Sequence, residues 1–231
     1  MDLFAAEGIK VYGVSYDAQE HLKTFSDDHS IAYDLLSDED SAVIKTFGIL
    51  NTTIEPDSSQ INTMTGRGYY GMPFPGVYVV GTDGRVTEKF FHRHYATRTS
   101  AGTLRDSALG RILARHEVPV AELGDEHVKV SAFLADEALK FEYTSTLYVR
   151  FEVAEGFHIY ADPLPDGFIA STATVPETKG VRLGEAVYPP THEREFPKLE
   201  VTLNVYEGTT DVKVPIALDA EILDWPIPEK P

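Results

Sequence analysis

Hydrophobic positions change period partway along the chain, and the change divides it in two. Over residues 1–115, short apolar runs of strand length alternate with helical patterns, the arrangement of an α/β layer. Ile9 to Ser15 reads as a β-rich run behind Gly8, which ends a short helix. Asp17 stands three residues before Glu20 in the manner of a capping box, and Ala18, Leu22 and Phe25 follow at helical spacing. A second short helix is predicted from about Glu39 to Phe47, with Val43, Ile44 and Phe47 inward and Gly48 as its stop. Asn51 to Met72 is polar, contains glycine and has no period, which predicts a long loop. Val77–Val80 and Arg85–Phe91 flank Thr82-Asp83-Gly84, where Asp-Gly supplies the positive φ of a hairpin turn. A helix over residues 101–114, with Leu104, Ala108, Ile112 and Leu113 on one face, closes the region.

Past a linker over residues 116–127 the period becomes two. Leu147, Val149, Phe151 and Val153 alternate with Tyr148, Arg150 and Glu152. Leu199, Val201, Leu203 and Val205 repeat the pattern, as do Val212, Val214, Ile216 and Leu218. Such strands, separated by Pro- and Gly-rich segments, predict a β-sandwich over 128–231 with one buried face per sheet.

Composition narrows the function classes. With 231 residues, the chain is long enough for two cores, and 42% hydrophobic with 25% charged residues fits a globular protein. A net charge of −17 repels phosphate backbones and anionic membranes, so no nucleic-acid partner is expected. No apolar run reaches the roughly 18 residues of a membrane helix, and Met1 to Lys10 lacks the features of a signal peptide. The chain contains no cysteine, which excludes disulfides and thiolate-bound zinc.

Several segments of the first region carry a likeness. GIKVYGVSYD (Gly8 to Asp17), a helix centred on Phe25, YDLLSDEDSAVIKTFGI (Tyr33 to Ile49) and YGMPFPGVYVVGTDGRV (Tyr70 to Val86) together resemble the AhpC/TSA redoxins. These are peroxiredoxin-like antioxidant proteins with the thioredoxin fold. The likeness covers roughly the first 110 residues and rests on order and spacing rather than on one motif. It implies an α/β thioredoxin-like domain without its beginning. In the family the nucleophilic cysteine sits after the first core strand, at the start of the helix that Asp2 to Glu7 would finish. The chain would then be a fragment, or a product with a mis-assigned start. That strand would lie between the one matching Ile9–Ser15 and the hairpin strand Val77–Val80. Without it, two strand edges keep unpaired backbone groups, each costing on the order of 1–3 kcal/mol if buried.

The resemblance also bears on the chemistry. Peroxiredoxins usually place an arginine just before the hairpin strand, to polarise peroxide and lower the thiol pKa. Here Pro75 stands there, within Phe74-Pro75-Gly76. A proline at this place resembles the cis-proline of thioredoxin-like reductases, which shapes the substrate groove; the other reading is a trans proline that starts a strand. The cis reading favours dithiol exchange over peroxide reduction in the parent protein, with Phe74, Pro75 and Gly76 as the substrate groove. Tyr69, Tyr70, Phe74 and Tyr78 could line it, or could simply pack.

The second region has its own likeness. GFHIYADPLPDGF (Gly156 to Phe168), VYPP (Val187 to Pro190) and YEGTTDVKVPIAL (Tyr206 to Leu218) look like the immunoglobulin-like N-terminal domain of the disulfide-interchange protein DsbD. Redox-active members carry a cysteine pair in later strands. This chain has none, so the resemblance implies an incomplete or non-redox relative.

Other constellations point to packing rather than chemistry. His92 and His94 share a strand face at a spacing that can ligate zinc or copper, but no third ligand is near in sequence. His158 beside Tyr160 reads as a packed, hydrogen-bonded pair. Ser15 lacks the second glycine of a nucleophile elbow, and Gly66-Arg67-Gly68 precedes no helix that could cradle phosphate. The reading is thus a thiol-dependent oxidoreductase or antioxidant protein whose cysteine-free chain has no catalytic residue, cofactor or metal of its own. Its partners would be a thiol/disulfide protein or a peroxide. The alternative is a non-catalytic thioredoxin-fold module that binds a protein partner. The redoxin likeness fits the cytoplasm and the DsbD likeness the periplasm; with no signal peptide in view, the cytoplasm is the expectation.

Overall fold

A computed structural model of the chain describes residues 2–56, 59–61, 66–92, 96–113 and 120–219. They form two compact units, Met1–Tyr95 with Ser107–Gly110, and Ala96–Asp106 with Arg111–Pro231. The first is the α/β layer and the second the all-β sandwich that the hydrophobic periods predict.

In the first unit, helix α1 (Asp2–Ala5) leads into strand β1 (Tyr12–Ser15), helix α2 (Gln19–Asp28) and strand β2 (Asp34–Ser37). β1 and β2 pair in parallel, from Tyr12 opposite Asp34 to Ser15 opposite Ser37. The α2 connection supplies the crossover a parallel pair requires, and it buries Leu22. At Gly13 the strands pack closely enough that a Cβ would lie 2.7 Å from the tip of the Leu35 side chain, which would have to shift. The expected capping box does not form. Ala18 is the N-cap residue, and the Asp17 carboxylate is instead taken by the Ser15 hydroxyl at 2.6 Å.

Helix α3 (Ala42–Thr46) is held from outside itself. Asp38, a buried residue, accepts hydrogen bonds from the Val43 N–H at 3.1 Å and the Ile44 N–H at 2.8 Å. These are orphan donors of the first turn, so Asp38 does the work of a cap from three residues before Ser41. Only part of the predicted inward face is buried. Ile44 is 1% exposed, whereas Val43 and Phe47 are about half exposed, because five residues of helix give too short a stripe to bury three side chains.

Strands β3 (Gly76–Val80) and β4 (Val86–Phe91) make the predicted hairpin, closed by Gly81 N–H to Arg85 O at 2.8 Å and by Gly84 at φ +80°. The loop before it is pinned at its ends. Asn51 N–H donates to Met72 O at 2.9 Å and Phe74 N–H to Ile49 O at 2.7 Å. Among the described residues β1–β2 and β3–β4 remain separate two-stranded sheets, with no strand joining them. The side chains of β1 beside the open edge, Tyr12 and Val14, are about half exposed.

The second unit opens with strand β5 (Arg98–Thr99) and helix α4 (Ala101–Leu109), whose first six residues belong to it. Strands β6 (Val120–Gly124), β7 (Val128–Leu134), β8 (Tyr143–Val153), β9 (Ile159–Tyr160), β10 (Val181–Leu183), β11 (His192–Phe196), β12 (Val201–Tyr206) and β13 (Thr209–Leu218) follow. One sheet runs β10-β13-β8-β7-β6, with β5 parallel to the start of β8; the other runs β11-β12-β9. Leu203 and Val205 of the smaller sheet and Val212 and Val214 of the larger are almost wholly buried, on the alternating faces predicted. Leu199 falls outside β12, in a turn closed by its own N–H to Phe196 O at 2.9 Å.

β8 reverses the predicted alternation over its middle: Thr146 and Tyr148, on the face predicted to be polar and solvated, are buried, whereas Leu147, Val149 and Phe151 are only partly buried. The reason lies in residues 96–106, which cover that face. Ser100 N–H donates to Thr144 O at 2.9 Å, Thr103 Oγ1 to Thr146 Oγ1 at 3.1 Å, and Gly102 N–H to Asp136 Oδ1 at 3.0 Å. Asp136 also accepts from Ser145 Oγ at 2.6 Å, so one carboxylate ties α4 to β8. Arg105 and Asp106 are buried as a pair, with Nε to Oδ1 at 2.9 Å. Burial first, and then the charge and hydrogen bond of Asp106, push the Tyr148 phenol pKa up. The helix predicted over 101–114 as the close of the first region therefore ends at Leu109, ahead of Gly110 at φ +61°. It buries Gly102, Arg105 and Asp106 rather than the predicted Leu104 and Ala108.

Two substitutions test these contacts. A Cβ on Gly102 would lie 2.1 Å from Ala135 O, so Gly102→Ala should destabilise the sandwich by about 1–3 kcal/mol, read as a lower denaturant midpoint. Asp38→Ala should cost about 1–2 kcal/mol through the lost α3 cap, and Asp38→Asn less, since the amide oxygen keeps one of the two bonds. Equal midpoints for Asp38→Ala and wild type in the same melt would rule out the capping role.

Candidate functional site

In the first unit the sequence-predicted groove lies at the start of β3. Phe74 is 40% exposed, Pro75 is half-buried, and Gly76 faces Phe91 so closely that a Cβ would sit 2.1 Å from its ring. The Phe74–Pro75 bond is trans; the cis peptide bond among the described residues is Asp162–Pro163. The alternative reading of Pro75, a trans proline that starts a strand, is the one realised. Ring contacts here run from Phe47 to Tyr78 (5.1 Å between centroids) and on to Phe91 (5.2 Å). Among the described residues, that run does not include Tyr69, Tyr70 or Phe74. Tyr78 Oη also donates to Phe47 O at 3.3 Å, which ties the aromatic end of α3 to the hairpin. Of the two readings of these rings, Tyr78 takes the packing one.

A second grouping stands where the parallel strands β1 and β2 end, the edge of a parallel sheet where sites usually lie. Ser15 Oγ donates to Asp17 Oδ2, Ser37 Oγ to Asp17 O at 2.7 Å, and Ser41 Oγ to Gly71 O at 2.8 Å. Arg67 lies with its guanidinium 4.5 Å from the centre of the Tyr16 ring and donates to Tyr16 O and Glu39 O. Sequence reasoning set Gly66-Arg67-Gly68 aside because no helix follows. The available signal was the arginine itself, flanked by glycines of which Gly66 takes φ +68°. The guanidinium fixes the long loop to the strand ends through cation–π contact and carbonyl bonds.

Chemically this edge is rich in hydroxyls and carboxylates and poor in reactive groups. Ser15 gives its hydroxyl to Asp17 with no imidazole in the set, so nothing activates it as a nucleophile. Among the described residues no group of three or more metal-ligating side chains converges. His92 follows directly after β4, and His94 lies outside the described residues. His158 and Tyr160 pack edge to face at 5.3 Å in the sandwich, as expected. The hydrogen bond expected for His158 is not made at Nδ1.

Comparison with known families gives two matches along the chain. Residues 1–89 match the AhpC/TSA family, and residues 129–228 match the model described as Thiol:disulfide interchange protein DsbD, N-terminal. Comparisons with curated proteins and with solved structures gave no match. Both families point to thiol/disulfide-protein partners in general, and among the described residues no helix is long and apolar enough to cross a membrane. The parallel pair β1–β2 and the hairpin β3–β4 thus lie largely in a stretch similar to the AhpC/TSA redoxins, and most of the paired sheets of the second unit lie in a stretch similar to the immunoglobulin-like N-terminal domain of DsbD.

Proposed function

We propose that this chain belongs to a thiol-dependent system that reduces disulfides or peroxides, and that these 231 residues have no such turnover by themselves. The observation that carries the reading is the pairing of two thiol-disulfide families in one chain that holds no cysteine. Reduction of either substrate begins with a thiolate attacking sulfur or oxygen, and no serine hydroxyl replaces it at neutral pH. In this reading the thiolate is supplied from outside these residues. Phe74, Pro75 and Gly76 contribute backbone and an exposed ring to the substrate-facing surface at the start of β3. The trans Phe74–Pro75 bond removes the argument that favoured disulfide over peroxide, so both substrates stand.

A specific observation supports a second reading, a non-catalytic module that takes up an extended strand from a protein partner. β1–β2 and β3–β4 are separate pairs, and Tyr12, Val14 and Leu36 expose apolar surface on the β1–β2 pair. Strand addition at an open edge provides main-chain hydrogen bonds together with pockets for alternate side chains.

The two readings share a test. In insulin-reduction and hydrogen-peroxide-consumption assays with dithiothreitol, the purified chain should give the rate of the protein-free control. A protein-dependent rate in either assay overturns the proposal. Hydrogen exchange at the β1 and β3 amides with an added extended valine–threonine peptide separates the two: slowing at these edges supports the binding module, and unchanged exchange removes it.

A further inference from the structure

We propose that His158 is an acid-released latch in the sandwich: neutral, it packs the β9 segment against β11, and protonated, it lets that contact go. The His158 ring lies 5.3 Å from Tyr160 and 4.9 Å from Phe196, measured between centroids. Tyr160 in turn meets Phe168 at 5.5 Å and Phe196 at 6.3 Å. These rings join the two outer strands of the β11-β12-β9 sheet, in which β9 contributes only Ile159 and Tyr160 to the ladder. Backbone bonds from Ala161 N–H to Asn204 O and from Ser171 N–H to Tyr160 O extend this short ladder, and the aromatic cluster adds the side-chain contact between β9 and β11.

The surroundings of the imidazole are built for its neutral form. Nδ1 is shut off from solvent and has no hydrogen-bond partner. In the tautomer that carries its proton on Nε2, a proton added at Nδ1 would become an N–H donor with no acceptor, and burying such a group costs on the order of 1–3 kcal/mol. Two charged groups act on the ring, Arg194 on β11 and Glu207 just beyond β12. The carboxylate that could answer a positive imidazole is already engaged. Glu207 accepts from Arg194 and lies 3.2 Å from His192 Nε2, with about 40% and 52% of the Glu207 and His192 side chains exposed. Arg194 also has its guanidinium 5.8 Å from the Phe196 ring, which keeps a fixed positive charge on the side of the cluster that His158 touches.

Burial and then the Arg194 charge hold the His158 pKa below its ordinary value, against an opposing pull from Glu207. The unfolded chain then binds the proton more readily than the fold does. The stabilisation is present in full above the unfolded imidazole value of about 6.5 and is lost as pH falls through the lower folded value.

Amide hydrogen exchange of the full chain at pH 7.5 and 5.5, corrected for intrinsic rates, reads the latch directly. Protection over residues 157–160 and 192–196 should fall severalfold at the lower pH in the wild type. His158→Phe, which keeps a ring in the cluster and removes the titration, should abolish that loss, while His192→Gln should retain it. An NMR titration of wild-type His158 should give a midpoint below that of an exposed histidine. Equal protection at both pH values, a loss that persists in His158→Phe, or a loss that vanishes only in His192→Gln would each overturn the proposal.

Discussion

A strand has two edges, and each edge presents backbone N–H and C=O groups that must find partners or water. How that requirement is met separates the two halves of this protein. β8 is satisfied on both sides, by β13 along one edge and by β7 and β5 in succession along the other. Around it sit the deepest side chains of the sandwich and the one helix whose first turns are buried with it. β1 has β2 on one edge only, and β3 has only β4. The first unit therefore exposes apolar side chains, Tyr12, Val14 and Leu36 among them, that a fuller sheet would cover.

The same requirement explains how polar groups are used in the sandwich. Covering the second face of β8 meant burying Thr146 and Tyr148, so that their hydroxyls needed internal partners. The segment 96–106 supplies them through Thr103 and Asp106, and its own N–H at Gly102 is answered by Asp136. Nearby, Arg150 lies across the Phe133 ring at 5.4 Å and binds both oxygens of Asp211, at 2.7 and 3.0 Å. The charges of Arg150 with Asp211 and of Arg105 with Asp106 are tolerated because each pair is bidentate or adjacent. His158 Nδ1, by contrast, is shut in without a hydrogen-bond partner.

Much of the architecture was legible in the sequence because period carries it. Val212, Val214 and Ile216 alternate and are buried as read, and Asp83-Gly84 gave the hairpin turn with its positive φ. What period could not show was which long-range partner would claim a residue. Asp17 has the spacing of a cap, but Ser15 reaches its carboxylate first. Asp38 has no helical spacing to α3 that marks a cap, yet the chain folds it back onto two of that helix's N–H groups. Gly102, Arg105 and Asp106 form a buried stripe that no hydrophobic pattern would select, because its burial rests on Asp136 and Tyr148, more than thirty residues away in the chain. At the candidate site, Pro75 was visible in the sequence, but the geometry of the Phe74–Pro75 bond was not.

Fold and chemistry separate cleanly in such a chain. The end of the parallel pair β1–β2 is where an α/β layer offers a site, and the serine hydroxyls and the guanidinium described there are already committed to holding structure. The Ser15 hydroxyl belongs to Asp17, that of Ser41 to Gly71, and the Arg67 guanidinium to two carbonyls and the Tyr16 ring. A hydroxyl paired to a carboxylate alone has no route to become a good nucleophile, since the carboxylate is far too weak a base to hold its proton. What this edge retains is position: a strand end, a fixed loop and an arginine held in register. A thiolate brought to this edge would find an ordered frame, and the chemistry would come from the thiolate.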